Sequence, residues 1–191
     1  VPTLAALVSH LREETPLVTT RYTPPEKIAR ETEIDFGEVR GQQSAKRALT
    51  IAASGGHNIV LYGPPGTGKT MLAKAFHGIL PELSSEEFLE VATIYSSIGL
   101  IDDMLHAGRP LRAPHHSASH VAIIGGGAQL RPGDITLAHR GVLYLDEFPE
   151  FDRRVIEALR EPIEEGSITV ARAKGSVRYP ARFILLAAMN P

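Results

Sequence analysis

Cysteine is absent from the 191 residues of this chain, which rules out disulfide bonds and metal sites built on thiolates. A chain without cysteine suits a reducing compartment. No apolar run approaches the length of roughly 20 residues that is needed to cross a bilayer. The amphipathic stretch Val1–Leu11 is not preceded by the basic segment of a secretory signal. We therefore expect a cytoplasmic protein that does not enter a membrane.

The chain also has no large excess of either charge, because it contains 20 Lys and Arg and 22 Asp and Glu, which gives a formal net charge of -2. This balance does not indicate a surface coated in nucleic acid, although it is compatible with a local basic site. With 43% apolar and 22% charged residues, the composition is that of a globular protein with a hydrophobic core.

Three regions follow one another along the chain. Residues 1–14 carry apolar side chains at helical spacing, and residues 15–35 have the proline-, threonine- and charge-rich composition of a linker. We expect the helix to belong to a preceding domain and residues 36–191 to form one domain. The chain opens without methionine and stops directly after an apolar strand, so we expect it to be a piece of a longer protein.

A phosphate-binding loop is predicted at Gly63, Pro64, Pro65, Gly66, Thr67, Gly68, Lys69 and Thr70. These residues match the pattern G-x-x-x-x-G-K-[ST] at every position, between a buried strand predicted over 58–62 and a helix predicted over 69–80. Backbone N–H groups of such a loop point at phosphate oxygens, and the helix start favours the same anion. Lys69 is predicted to reach the β- and γ-phosphates of ATP and Thr70 to bind Mg²⁺. A chance glycine turn is the alternative, but the flanking elements favour the phosphate loop.

Two carboxylates end a second apolar strand, predicted over 141–146. In a parallel sheet we expect this strand beside the phosphate-loop strand, with both acids at the carboxyl edge where ligands bind. Asp146 is predicted to partner Mg²⁺, and Glu147 to position and polarise a water for attack on the γ-phosphate. An Asp-Glu pair alone more often just ends a strand, but the upstream phosphate loop favours the functional interpretation.

A third apolar strand, predicted over 183–189, ends in Asn190. Its side chain is predicted to hold the attacking water or to sense the γ-phosphate. Just before it, residues 167–172 and 176–182 alternate apolar and polar side chains around Ala173-Lys174-Gly175, which predicts a β-hairpin.

Helix boundaries are also marked in the sequence. Gly55-Gly56 is predicted to stop a helix over 42–54. Ser84 and Glu87 have the spacing of a capping box, which predicts a helix running to about Tyr95. Residues 153–165 are predicted to form a helix that Pro162 ends or kinks.

The order of these motifs resembles an AAA+ ATPase, with Walker A, Walker B and sensor 1 in sequence, and the hairpin resembles the pre-sensor-1 insertion of the clade containing magnesium chelatase and the MCM helicases. Several segments are similar to one group, the bacterial magnesium-chelatase-like ComM (YifB) family, from about residue 36 to 191. They are Arg109-Pro110-Leu111-Arg112-Ala113-Pro114-His115-His116-Ser117, Gly125-Gly126-Gly127, Arg131-Pro132-Gly133-Asp134-Ile135, Leu137-Ala138-His139, Leu145-Asp146-Glu147-Phe148 and Ala188-Met189-Asn190-Pro191.

The resemblance implies a three-layer α/β P-loop NTPase with a mainly parallel sheet. It implies a hexameric ring driven by ATP that acts on single-stranded or branched DNA and promotes branch migration. The arginine finger, sensor 2 and lid of the family match nothing here, so this chain alone is expected to bind ATP and hydrolyse it poorly.

Further residues are assigned by the resemblance with alternatives open. Lys174 at the hairpin tip, and Arg172 and Arg178 on or near the hairpin, would contact DNA in the pore, or else lie on a solvated turn. The loop from Gly125 to Asp134 would be a second pore-directed insertion, or an ordinary loop. Val39 and Gln42 lie where AAA+ proteins cover adenine, although Val39 fits a core position equally.

The three histidines at positions 115, 116 and 120 are candidate metal ligands. Without cysteine, and without the glutamate of a zinc hydrolase motif, structural or polar-contact roles are favoured.

Two other functions compete with a DNA motor. One is a magnesium chelatase motor that drives metal insertion into a porphyrin. The other is a regulatory nucleotide-binding module without turnover, against which Glu147 argues.

Overall fold

A computed structural model describes residues 3–17, 34–102, 104, 108–127, 130–172 and 175–191. The described helices are α1 (Leu4–Leu11), α2 (Gln43–Gly55), α3 (Lys69–Gly78), α4 (Ser85–Ser97), α5 (His120–Ile124), α6 (Asp134–Leu137), α7 (Arg153–Ala158) and α8 (Arg160–Glu165), with a 3₁₀ turn at Phe148–Glu150. The strands are β1 (Ile59–Tyr62), β2 (Leu111–Arg112), β3 (Gly125–Gly126), β4 (Arg131–Pro132), β5 (Val142–Leu145), β6 (Ser167–Arg172), β7 (Gly175–Pro180) and β8 (Ile184–Met189). Within these ranges no helix combines the length and the apolar character needed to cross a membrane.

A parallel sheet in the order β1-β8-β5-β2 forms the centre of the fold. The side chains of β5 alternate between its two faces. Val142 and Tyr144 pack with α2 and α3, whereas Leu143 and Leu145 pack in a second cluster with α7 and the base of the β6–β7 hairpin. The sheet therefore has apolar layers on both faces, and the predicted α/β P-loop fold is confirmed.

The order of the strands corrects one prediction. Strand β5, which ends at the Asp-Glu pair, does not lie beside β1, because β8 is inserted between them and pairs with both. Within the described residues, β1 is also an edge strand, with Val60 and Tyr62 53% and 66% exposed, so the prediction of a buried strand was wrong there. A short apolar run is compatible with an edge strand as well as with a central one, so the sequence does not distinguish the two. In β1 only Leu61 is buried.

Local signals predicted the helix ends well. The capping box is present, with the Ser84 hydroxyl accepting from the Glu87 N–H at 3.2 Å and the Glu87 carboxylate accepting from the Ser84 N–H at 3.1 Å. The helix runs two residues past the predicted end, to Ser97, and α3 ends two residues early, at Gly78. Pro162 lacks the N–H that would bond to the Ala158 carbonyl, and the helix is broken at Leu159 into α7 and α8.

Two small antiparallel strand pairs accompany the central sheet. Strands β6 and β7 form the predicted hairpin, and β3 pairs with β4. The Tyr179 hydroxyl on β7 donates a hydrogen bond to the Leu130 carbonyl, which joins the two units. Lys174 and Ala173 at the hairpin tip, and most of the predicted linker, lie outside the described residues.

A buried histidine clamps the amino end of β8. His139 Nδ1 accepts a hydrogen bond from the Arg182 N–H at 3.1 Å, so the proton of the neutral ring lies on Nε2, which donates to Glu90 Oε2 at 3.0 Å. The Arg140 N–H donates to the Arg182 carbonyl, and the Arg140 side chain pairs with Glu90. Burial lowers the pKa of His139 below its usual 6.5, and the hydrogen bond from Arg140 lowers the pKa of Glu90 to about 2.

This clamp predicts a pH dependence of stability. Because the pKa of His139 is lower in the folded state, the unfolded chain takes up a proton first as the pH falls below 6.5, and stability is lost by up to about 1.4 kcal/mol per pH unit. Urea unfolding at pH 7.5 and 5.5 measures this loss. His139→Asn keeps an acceptor for the Arg182 N–H but does not titrate, so it should be less stable at pH 7.5 and lose less stability on acidification.

The matched control is His120→Asn, at an exposed histidine at the start of α5. It should keep the wild-type difference between the two pH values. An unchanged difference in the His139 variant would contradict this account of the clamp.

Candidate functional site

The loop between β1 and α3 has the backbone conformation that its sequence predicts. Gly66 and Gly68 adopt φ values of 79° and 84°, in the left-handed region that favours glycine. The Thr67 hydroxyl donates to the Pro64 carbonyl at 2.9 Å, which closes the loop on itself. Helix α3 begins at Lys69, so its positive N-terminal end opens onto the loop. This is the geometry in which backbone N–H groups bind phosphate.

Lys69 connects the loop to the end of the neighbouring strand. Its ammonium donates to the carbonyls of Gly63 at 2.7 Å and Pro64 at 2.9 Å and to Asn190 Oδ1 at 2.8 Å. Because an ammonium can only donate, the Asn190 amide presents its oxygen to Lys69 and its nitrogen elsewhere. The Gly63 N–H also bonds to the Met189 carbonyl, which holds the loop against β8. Strand β8, inserted beside β1, thus brings Asn190 to the phosphate loop.

Thr70 makes the matching connection to β5. Its hydroxyl donates to Asp146 Oδ2 at 2.9 Å, and Asp146 Oδ1 accepts from the Glu147 N–H at 3.0 Å. A hydroxyl and a carboxylate oxygen are hard donors of the kind that Mg²⁺ prefers. Within the described ranges, no group of three or more His, Asp or Glu side chains could hold a metal by itself. The pair therefore fits a magnesium ion that takes its remaining ligands from phosphate and water.

Glu147 directly precedes the 3₁₀ turn and has a strained backbone conformation. Its φ of 52° is unusual for a residue other than glycine, and its side chain is 51% exposed. His116 Nδ1 lies 3.0 Å from Glu147 Oε2, and its ring packs against His115 and edge-on against Phe151. The backbone thus points Glu147 away from the core, and His116 fixes where its carboxylate lies.

His116 is the site residue that sequence reasoning did not find. A polar contact was favoured for it over a metal site, but its partner could not be named because Glu147 lies 31 positions further along the chain. The signal available was its place just after β2, a strand that pairs with β5 and so delivers its end to the same edge.

Of the two residues predicted to contact adenine, Val39 is buried in the core and Gln42 lines a cavity beside the loop. Val39 is 4% exposed and lies in the core with Leu49 and Leu72, as its alternative interpretation held. Gln42 lies at the mouth of a cavity of about 260 Å³ beside the loop, and its amide donates to the Thr67 carbonyl at 3.2 Å. Gln42 therefore supports the phosphate loop directly.

The proposed DNA contacts are only partly described. The backbone of Arg172 ends β6, and Lys174 lies outside the described residues. Arg178 on β7 pairs with Glu165 at 2.8 Å and donates to the Ser167 hydroxyl at 2.8 Å. Arg178 is thus engaged at the base of the hairpin.

The His116 contact generates a testable prediction. His116→Ala should release the Glu147 carboxylate and lower ATP turnover by roughly tenfold while nucleotide affinity stays unchanged, because His116 is not predicted to bind nucleotide. His120→Ala is the matched control, since His120 is an exposed histidine at the start of α5. Equal turnover in wild type and His116→Ala would show that the contact has no role in hydrolysis.

Comparisons with known proteins identify the family and the fold of the chain. The sequence model of the family "Magnesium chelatase, subunit ChlI" matches residues 35–191. YifB of Escherichia coli is 54% identical over 172 residues, which cover 90% of this chain and 34% of that protein. Competence protein ComM of Haemophilus influenzae is 53% identical over 162 residues, which cover 83% of this chain and 31% of that protein. The chain thus spans about a third of the length of these relatives.

Solved structures share the fold. A complex of subunits BchI and BchD of magnesium chelatase, based on cryo-EM, matches with 26% identity and a TM-score of 0.60, over 83% of this chain and 55% of that one. NtrX of Brucella abortus in complex with ATP matches with 18% identity and a TM-score of 0.55, over 81% of this chain and 32% of that one.

Proposed function

The chain belongs to the family of magnesium chelatase subunit ChlI, and on that basis we propose that it is the ATP-binding and ATP-hydrolysing core of a ring-forming motor that remodels DNA. One observation carries the ATPase part. Two neighbouring residues at the start of α3 reach the ends of two different strands, Lys69 to Asn190 at 2.8 Å and Thr70 to Asp146 at 2.9 Å. Such convergence on a phosphate loop is what binding and cleaving a nucleoside triphosphate requires.

The phosphates would lie along the loop and the start of α3. The loop N–H groups and the helix end favour the anion, and Lys69 would exchange its carbonyl partners for β- and γ-phosphate oxygens. Asn190, which shares Lys69, would then contact the γ-phosphate or the water beside it. Gln42 and the cavity next to it lie on the side where the nucleoside would extend.

Magnesium would be held by Thr70 and Asp146. When bound, it would neutralise charge on the phosphate oxygens. Both side chains are already oriented towards each other, so little reorganisation is needed to bind the ion.

Hydrolysis would depend on Glu147. Its exposed carboxylate would accept a proton from a water and hold that water in line with the γ-phosphate. His116 would keep the carboxylate in one orientation. A pure nucleotide sensor has little use for such a pair, so turnover is favoured over a regulatory module.

Action on DNA is supported by similarity alone. The chain is 53% identical to a competence protein, ComM, against 26% for the chain matched in the magnesium chelatase complex. The hairpin that carries Arg172 and Lys174 would contact DNA phosphates in the pore of a hexameric ring. The chelatase motor is the second candidate, favoured by the structural match to BchI and BchD.

ATP turnover by the native protein, with and without branched DNA, tests this proposal. Lys69→Ala should lose both binding and turnover. Glu147→Gln should lower turnover by about 10²-fold or more and still bind ATP, because it removes only the proton acceptor.

Arg47→Ala on α2 and Glu157→Gln on α7, both at exposed positions, are the matched controls. Both should behave as wild type. Turnover that DNA does not raise would remove the DNA function and leave the chelatase-type motor, whereas full turnover by Glu147→Gln would refute the ATPase mechanism.

A further inference from the structure

A phenol lies directly beneath the predicted metal ligands. Tyr144 lies on β5 two residues before Asp146, which directly follows the strand, so the alternation of the strand sends both side chains to the same side. The ring is buried, with Tyr144 6% exposed, and it packs with the core residues Leu72 and Leu186. A buried tyrosine hydroxyl normally finds a hydrogen-bond partner, and the partner it finds here belongs to the phosphate loop.

The Tyr144 hydroxyl lies 3.5 Å from Thr70 Oγ1. The one proton of the Thr70 hydroxyl is already donated to Asp146 Oδ2 at 2.9 Å. Thr70 Oγ1 can therefore only accept from Tyr144, and a directed chain runs from Tyr144 to Thr70 to Asp146. A tyrosine phenol carries its proton at neutral pH, so Tyr144 acts as a donor here.

The far end of this chain is fixed as well. Asp146 Oδ1 accepts from the Glu147 N–H at 3.0 Å, which stops the carboxylate from rotating. A threonine hydroxyl has one proton and two acceptor lone pairs. The Thr70 hydroxyl donates its proton to Asp146 and accepts from Tyr144 with one lone pair. Its second lone pair therefore remains available to bind a cation.

We propose that Tyr144 is a positioning residue for the divalent cation, because its hydroxyl sets the orientation of the Thr70 hydroxyl. The proposal rests on the proposed function, since it concerns the same magnesium site. Its effect should be moderate, because 3.5 Å is longer than the roughly 2.7–2.8 Å of a strong O–H···O bond. Loss of the Tyr144 hydroxyl should weaken the binding of the cation and leave the binding of nucleotide without the cation unchanged.

The test is the Mg²⁺ concentration at which ATP affinity of the native protein is half-maximally raised, measured by calorimetry. Tyr144→Phe removes only the hydroxyl and should raise this concentration by about 3- to 10-fold, the range expected for one modest hydrogen bond. ATP affinity in EDTA should remain at the wild-type value. Mn²⁺ binding followed by electron paramagnetic resonance, in the presence of ATP, should weaken to the same degree.

Tyr95→Phe is the matched control. It also removes a buried phenol, whose hydroxyl donates to the Leu137 carbonyl at 2.9 Å away from the loop. Tyr95→Phe should lower the melting temperature and keep the wild-type Mg²⁺ dependence. Should Tyr144→Phe fail to fold, Tyr144→Leu replaces the ring by the aliphatic type that surrounds it and carries the same expectation.

The outcomes separate the two proposals. A wild-type Mg²⁺ dependence in a folded Tyr144 variant overturns the positioning role and leaves the ATPase intact. Equal losses with and without Mg²⁺ also overturn it, because they show general damage to the loop. A wild-type protein that binds no ATP in either condition defeats the proposed function itself.

Discussion

The pairing of β8 with both β1 and β5 is the constraint on which the site depends. Its register sets Met189 opposite Tyr62 on one side and Ala187 opposite Leu145 on the other. Because the three strands are parallel, their carboxyl ends meet at one edge, where the phosphate loop, Asn190 and Asp146 follow directly. A shift of β8 along its neighbours would separate Asn190 from Lys69 while leaving every strand formed.

The two ends of β8 are held by different chemistry. At the amino end, backbone groups of Arg182 are bound on both sides, by the His139 ring and by the Arg140 N–H, and Glu90 ties this clamp to α4. At the carboxyl end, Asn190 bonds to Lys69. The hairpin β6–β7 leads into the clamped end, so β8 connects the hairpin to the phosphate loop. This connection gives the proposed motor a short path between nucleotide and hairpin.

Sequence reasoning succeeded where the information is local. The conformation of the loop between β1 and α3, the capping box at Ser84 and the break caused by Pro162 each follow from a few adjacent residues whose backbone requirements are known. Strand order was mispredicted, because short apolar strands do not encode their neighbours, and so β1 turned out to be an edge. The contacts of His116 and Tyr144 were missed for the same reason, since each joins segments far apart in the chain.

The central claim is that nucleotide binds at the edge where β1, β8 and β5 end, with Asn190 at the γ-phosphate. Its most direct test compares the affinities of ADP and of a non-hydrolysable ATP analogue for wild type and Asn190→Ala. The account predicts that the variant loses about tenfold in affinity for the ATP analogue and nothing for ADP, because one contact to the terminal phosphate is removed. Equal losses for both nucleotides, or no loss for either, would contradict the placement of Asn190 and with it the role of β8.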